Sequence, residues 1–297
     1  MAISPKLVQE LREKTGVGMM DCKRALEEAG GSMDEAVTIL RKKGMATAEK
    51  KATRAASDGL VAAVISADRK AGALVEVNCE TDFVAKTDDF QGLSRHLAQV
   101  VLDKSPAETE SLLTLPDPAE PGHSVKDAIV AKVAKLGENI QLRRFVRYAG
   151  MGNAVSSYIH AGGKIGILLE ASVGEGDPAR PEVQELLKEL CMQVAAAAPR
   201  FVSRTEVTPE VLASEREIYR AQVIAQGKPE AIVDKIVEGK MNKYYEENCL
   251  LEQPFIKDTS VRVQDHVASA AGKSTKVLRF SRFVLGEGLK ESSSCGA

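Results

Sequence analysis

The first fifty residues carry apolar side chains at helical spacing, and two breaks divide them into three segments. Ser4-Pro5 is typical of a helix start, with an N-cap followed by proline at the first helical position. A second helix is predicted over residues 21–31. Ser32 and Glu35 have the spacing of a capping box for a third helix, which we predict to stop at Gly44. The pattern therefore predicts a bundle of three short helices.

The rest of the chain contains one hydrophobic pattern twice. Val61–Val77 and Val155–Ala171 are identical at seven of 17 positions with a constant offset of 94. The helix that follows matches at an offset of 93, with apolar residues four positions apart as a buried helical face requires. A last strand matches at an offset of 135, pairing Arg144–Tyr148 with Arg279–Phe283. Each copy is predicted to be a β-hairpin, a helix and a third strand.

The second copy contains about 42 additional residues, which is the difference between the offsets (135 − 93). Thr208-Pro209 and Pro229 each open an amphipathic helix within this insertion. We interpret it as a helical hairpin at about residues 204–245. The predicted fold class is α+β, with an N-terminal helical bundle followed by two small antiparallel sheets with helices.

These patterns predict three units in the chain of 297 residues. Residues 1–54 form the helical bundle and its tether, an Ala- and Lys-rich stretch that starts at residue 45. Residues 55–150 form the first repeat. Residues 151–297 form the second repeat with the inserted hairpin.

Composition narrows the class of partner. Forty Lys and Arg against 42 Asp and Glu leave a net charge of −2, which gives no global electrostatic reason to bind nucleic acid or an anionic membrane. The five cysteines are widely spaced and suit a reducing cytosol. No signal-peptide core opens the chain, and no segment approaches the roughly 20 apolar residues of a membrane span. We predict a cytoplasmic protein that binds a specific protein partner and uses no cofactor and no metal.

An aromatic residue stands among carboxylates directly after the second predicted strand. Residues 78–89 read NCETDFVAKTDD, whereas the matching place in the second copy reads SVGEGDPARP. Phe83 either fills the core beneath the following helix or is exposed for a partner, and its absence from the second copy favours exposure. The carboxylates lack the spacing of a calcium loop. They indicate a solvated loop that caps helices rather than a metal site.

Three further motifs have alternative interpretations. Residues 272–275 read GKST, but Val267 replaces the first glycine of a phosphate-binding loop, so we predict a turn before the final strand. His160 precedes a tight turn and is either an ordinary turn residue or a contact residue. Met19 and Met20 are adjacent on a helix and cannot both face its core, so one is expected to be exposed for a partner. No nucleophile and base can be paired by spacing, which makes an enzyme the least supported class.

Six segments together carry a family likeness over nearly the whole chain. They are LREKTGVGMMDCKRAL, NCETDFVAKTDDF, YIHAGGKIGILLE, KIVEGKMNK, LLEQPFIKD and RFSRFVLGEGL. In this order, with a helical N-terminal domain and a duplicated core, they resemble the elongation factor Ts family. The resemblance implies a guanine nucleotide exchange factor that binds elongation factor Tu, displaces Mg²⁺ and releases GDP, without covalent chemistry. It also implies a ubiquitin-associated-like fold for the bundle and a coiled-coil character for the hairpin.

The resemblance further implies which residues contact the partner. The loop that approaches the magnesium and phosphate region of the GTPase would contain Thr81, Asp82, Phe83 and Val84, with Phe83 as a wedge. The bundle would dock on the GTPase through Arg12, Met19, Met20 and Lys23. Further contacts are implied at Leu136, Gly137, His160, Ile236 and Val237. The hairpin would contact the GTPase or support self-association. The competing hypothesis is a structural adaptor that binds a protein without altering nucleotide affinity.

Overall fold

The computed structural model describes residues 3–174, 177–271 and 274–289, and it begins with a helical bundle. The Ser4 hydroxyl accepts a hydrogen bond from the Leu7 N–H at 3.2 Å, as an N-cap does. Gly16 ends the first helix in the left-handed region at φ 67°. Leu11 and Leu26 are fully buried between the helices. The bundle consists of α1 (Pro5–Thr15), α2 (Met19–Glu28) and α3 (Met33–Lys51).

The first repeat is a three-stranded sheet with helices on one face. In chain order its elements are β1 (Asp58–Ile65), β2 (Ala71–Cys79), α4 (Asp82–Ala85), α5 (Asp88–Lys104), α6 (Thr109–Thr114), α7 (Val125–Leu136) and β3 (Gln141–Ala149). The strand order is β1-β2-β3, and both pairings are antiparallel. Leu93, Leu97 and Val101 are buried on the face of α5 that contacts the sheet, which confirms the helical face predicted from their spacing.

The second repeat has the same arrangement with an insertion. Its elements are β4 (Asn153–His160), β5 (Ile165–Ser172), α8 (Pro181–Ala197), α9 (Pro209–Ala225), α10 (Glu230–Asn248), β6 (Pro254–Phe255), β7 (Asp258–Arg262), α11 (Val263–Ala271) and β8 (Lys276–Val284). The sheet order is β4-β5-β8, and α9 packs against α10 as the inserted hairpin. The predicted fold class is confirmed. The turn predicted at residues 272 and 273 lies outside the described residues.

The third helix is longer than predicted. We expected it to stop at Gly44, yet it continues to Lys51 and packs along α7. A side chain at Gly44 would begin 3.4 Å from the Ala134 Cβ and 3.7 Å from a Val130 methyl group. The glycine therefore allows the two helices to approach closely, and this packing offsets the cost of about 1 kcal/mol for glycine inside a helix. Most of the predicted tether is thus helical.

The two sheets face each other across a small apolar layer made of equivalent residues. Its buried members form three pairs from the two copies, Val61 with Val155, Leu74 with Leu168, and Tyr148 with Phe283. Gly72 and Gly166 are equivalent as well, and a side chain at either would lie within 3.0 Å of a leucine and a valine methyl group of the opposite sheet. The lack of a side chain at these two positions sets how closely the sheets approach.

Each copy also buries one glutamate beside a β-bulge of its central strand. Glu76 is fully buried and accepts hydrogen bonds from Arg143 at 2.8 Å, Arg144 at 2.6 Å and the Gly286 N–H at 2.8 Å. Glu170 is equally buried and accepts from Arg279 at 2.6 Å. Burial alone would raise the pKa of Glu76, but these donors hold it below its usual value of 4.5. The Gly286 contact ties the end of the second repeat to the first.

The burial of Glu76 predicts a pH-dependent contribution to stability. Its folded pKa is lowered, so its contribution is present above pH 4.5 and is lost as the pH falls through the folded pKa. At pH 7 we expect Glu76→Gln to lower the free energy of unfolding by about 3 kcal/mol, because two guanidinium groups lose their counter-charge. Below pH 4.5 the free energies of unfolding of the variant and the wild type should become more similar. Urea unfolding at pH 7, 5 and 4 measures both quantities.

Glu217→Gln, at an exposed position of α9, is the control for loss of one negative charge. It should leave the unfolding curves of the protein unchanged at each pH. A constant difference between wild type and Glu76→Gln across this pH range would contradict the role of the buried carboxylate.

Candidate protein-binding site

The loop after β2 presents one aromatic side chain to solvent. Thr81 caps the four-residue helix α4, its hydroxyl accepting from the Val84 N–H at 3.4 Å. Within this turn Ala85 faces the core, while the Phe83 side chain is 78% exposed. The place beneath the following helix is filled by Phe90, which is fully buried. Of the two alternatives for Phe83, the structure therefore shows the exposed one.

The loop is held by a residue that sequence reasoning missed. One carboxylate oxygen of Glu138 accepts the N–H groups of Glu80 and Thr81, each at 3.0 Å, and the other accepts the Thr81 hydroxyl at 2.6 Å. The N–H of Asn139 donates to the Glu80 carboxylate at 2.7 Å. Four polar groups of the loop thus have a fixed partner in the turn that follows α7. Phe83 is exposed on a loop with a defined position.

Two acidic residues of the loop, Asp82 and Asp89, are paired with lysines. Asp82 accepts from Lys86 at 2.6 Å, and this hydrogen bond holds the pKa of Asp82 below its usual value. Asp89 lies 2.7 Å from Lys132 and 2.8 Å from Lys135, which lower its pKa in the same way. In the ranges that the structure describes, the His, Cys, Asp and Glu side chains form no group of three or more that could hold a metal ion.

Two other predicted contact regions lie near this loop. Gly137 ends α7 in the left-handed region at φ 76° and is exposed, beside the half-buried Leu136. The second region is the exposed turn at His160, which packs on the start of β1, because a side chain at Gly163 would come within 2.7 Å of the Leu60 Cβ. Since β1 pairs with the end of β2, this turn and the Phe83 loop share one end of the molecule.

The contacts of Lys164 also place the His160 turn close to the Phe83 loop. Its ammonium group lies 2.9 Å from the carboxylate of Asp58, the first residue of β1, which pairs with Cys79. The same charge is near enough to lower the pKa of Asp82, although less than Lys86 does. The structure thus brings together the residues predicted from three separate parts of the sequence.

The bundle carries a second exposed apolar patch. Met19 is 50% exposed and Met20 is 64% exposed, so both methionines, and not only one of them, are exposed. Both lie in the first turn of α2, and Cys22 and Leu26 fill the core instead. Arg12 and Lys23 are also exposed on α1 and α2. The structure places all four predicted bundle residues at the surface.

Ile236 and Val237, the two predicted contact residues of the inserted hairpin, are less accessible than predicted. Val237 is buried between α9 and α10 with Val223 and Met241, and only Ile236 is partly exposed. Val237 therefore holds the hairpin together, which limits any direct contact at this place to Ile236. In the described part of the chain no helix has the length and apolar content of a membrane span.

Comparison with known proteins identifies the family. The family model described as Elongation factor TS matches residues 80–287, which include the Phe83 loop and all of the second sheet. The elongation factor Ts of Trichlorobacter lovleyi is 48% identical over 99% of this chain and 96% of its own length. That of Aquifex aeolicus is 45% identical over 96% of this chain and 99% of its own. The chain is thus by class a translation elongation factor. It belongs to the elongation factor Ts family, which confirms the resemblance carried by the six segments.

The buried thiol beneath the loop predicts slow chemical modification. Burial raises the pKa of Cys79 to about 12, and the nearby Glu138 carboxylate adds to this effect. Its Sγ also donates to the Thr81 carbonyl at 3.1 Å. Because the thiolate is the reactive form, iodoacetamide at pH 8 should alkylate Cys79 at least 100-fold more slowly in the folded protein than in urea. Peptide mass spectrometry of timed samples measures the rate, and rapid alkylation of the native protein would contradict a closed loop.

Proposed function

We propose that this protein is a guanine nucleotide exchange factor that binds elongation factor Tu, displaces its Mg²⁺ and promotes release of GDP, so that GTP can bind during translation elongation. The observation that carries the proposal is the 78% exposure of Phe83 on a loop held by hydrogen bonds. Exposed aromatic anchors are typical centres of binding energy in protein interfaces. A loop already in its bound conformation also loses little entropy on binding.

The proposed activity is a matter of differential binding. The factor must bind the nucleotide-free GTPase more tightly than the nucleotide-bound form, and by linkage the nucleotide must weaken binding of the factor equally. A thousandfold faster release of GDP requires the activation free energy of release to fall by about 4 kcal/mol. Full burial of one phenylalanine contributes only about 1.5–3 kcal/mol. The Mg²⁺ ion neutralises the charge of the phosphates, so in this mechanism its loss supplies the remainder of the roughly 4 kcal/mol. No covalent step and no cofactor of the factor itself is involved.

The proposed contacts follow the surfaces described above. The residues that disturb the magnesium region are Thr81, Asp82, Phe83 and Val84. The bundle contacts the GTPase through Arg12, Met19, Met20 and Lys23. Additional contacts come from Leu136, Gly137 and His160, which lie near the Phe83 loop, and from Ile236 on the hairpin, with Val237 supporting it from inside. The hairpin also offers a surface for self-association. As a translation factor the protein is proposed to act in the cytoplasm.

Removal of the aromatic side chain tests the central role of the loop. Phe83→Ala should slow stimulated GDP release by about 10- to 100-fold at saturating factor, because the burial energy of the ring is lost. The fold should be unaffected, since the ring is exposed. Release of fluorescently labelled GDP from elongation factor Tu, followed by stopped flow, measures the rate.

Met151→Ala is the matched control, because this methionine is 99% exposed and lies in the link between the two repeats. It should exchange GDP at the wild-type rate. Normal exchange by a folded Phe83→Ala protein would contradict the wedge. Wild-type protein that binds elongation factor Tu without accelerating release would instead favour the structural adaptor.

The methionine patch of the bundle is tested by affinity. Met19→Ala combined with Met20→Ala should weaken binding to nucleotide-free elongation factor Tu by about 10- to 100-fold, because two exposed apolar side chains lose their burial in the complex. Isothermal titration calorimetry measures the dissociation constant, again with Met151→Ala as control. An unchanged dissociation constant would exclude these two residues from the interface.

A further inference from the structure

The main-chain N–H groups of Glu80 and Thr81 follow the last strand pair of β2 and β1, Cys79 with Asp58. Both N–H groups donate to one oxygen of Glu138, and the Thr81 hydroxyl donates to the other. Hydrogen bonds to a charged acceptor are stronger than those between neutral groups. The Glu138 carboxylate therefore holds the main chain in place for two more residues beyond the last strand pair of β2.

We infer that Glu138 is the positioning residue of the Phe83 loop, which it holds in the partner-binding conformation before any partner arrives. This inference rests on the proposed exchange function. Glu138 acts here through Thr81, whose hydroxyl caps α4, and α4 carries Phe83. Loss of the carboxylate would release the cap and the short helix together.

The second copy, which lacks both the aromatic loop and the carboxylate, supports this role of Glu138. At the offset of 135 that relates the last strands, Gly137 matches Gly272, and Glu138 matches Lys273. A lysine has no acceptor atom and cannot bind two N–H groups and a hydroxyl. The carboxylate thus occurs in the copy that has the aromatic loop, and the copy without this loop has the opposite charge at that position.

The same turn also connects the loop to the end of α3. The Lys51 ammonium donates to the Gly137 carbonyl, and the Asn139 side chain donates to the Arg54 carbonyl at 2.8 Å. The main chain of Asn139 in turn donates to Glu80. Glu138 is therefore part of a continuous set of hydrogen bonds that joins the bundle, the turn after α7 and the Phe83 loop.

A positioning role has a distinct kinetic signature. If the loop is ordered for only a fraction of the time, the apparent dissociation constant rises by the inverse of that fraction, whereas the bound complex is restored once binding selects the ordered form. Glu138→Ala should therefore raise the half-saturating concentration of factor about tenfold, with less than a twofold change in the maximal rate. Phe83→Ala should show the reverse, a lower maximal rate with little change in the half-saturating concentration.

The position of the loop is measured first, in the free protein. Glu138→Ala should accelerate amide hydrogen exchange at Glu80 and Thr81, and alkylation of Cys79, about tenfold. Glu138→Gln keeps an oxygen that accepts both N–H groups and should retain most of the protection. Asp258→Ala is the control, because Asp258 accepts the N–H and hydroxyl of Ser260 at the start of β7, within the second repeat. Thermal melting shows that each variant is folded.

GDP release from elongation factor Tu is then measured over a range of factor concentrations, for each single variant and for Glu138→Ala with Phe83→Ala. If Glu138 acts through Phe83, its effect on half-saturation should largely disappear in the double variant. Additive effects would show a direct contact instead and would overturn the inference. Unchanged exchange at Glu80 and Thr81 in Glu138→Ala would overturn it as well, as would a folded Glu138→Gln protein as unprotected as Glu138→Ala.

The two proposals fail in different ways. If wild-type protein does not accelerate GDP release, the exchange function is wrong, whatever the loop does in the free protein. If wild-type protein and Phe83→Ala behave as proposed, but Glu138→Ala releases the loop without changing half-saturation, positioning by Glu138 is wrong and the exchange function stands.

Discussion

The contact between the two sheets is the constraint on which the rest of the molecule depends. It is made of equivalent residues from the two copies, and it includes a pair of exchanged interactions. Arg144 of the first copy lies 4.3 Å from the ring centroid of Phe283, and Arg279 of the second lies 4.2 Å from that of Tyr148. Each arginine also pairs with the buried glutamate of its own sheet. A buried carboxylate is costly without such partners, so the sheets are stable mainly as a pair.

This constraint explains why one end of the molecule can carry a binding surface. The central strand of the first sheet is buried on both faces, by α5 on one side and by the second sheet on the other. Its end at Cys79 is therefore held in place, and the turn at His160 reaches the same end from the second sheet. An exposed Phe83 is unfavourable in isolation, but the surrounding packing holds it there. The same rigid base lets hydrogen bonds from one turn determine the position of a whole loop.

Much of the fold could be predicted because it depends on local or periodic signals. Caps and prolines marked the helices of the bundle and the hairpin, and the constant offsets revealed two sheets of the same order. The errors have one cause, which is contact between segments distant in the sequence. Gly44 looked like a helix end because glycine weakens an isolated helix, yet α7 stabilises the helix beyond it. Val237 looked available because one helix alone does not show which apolar side chains the other helix covers.

The candidate site divides in the same way. The sequence by itself determined that an aromatic residue stands in a polar loop of one copy only, and that the family motifs surround it. Only the tertiary structure decided that Phe83 points outward, that both methionines of α2 are exposed, and that Glu138 holds the loop. Residues 81 and 138 are far apart in the chain, and no periodic pattern connects a carboxylate to the N–H groups it accepts. Their meeting depends on the path of the four helices α4 to α7 that lie between them in the chain, and this path exists only when the whole core is packed.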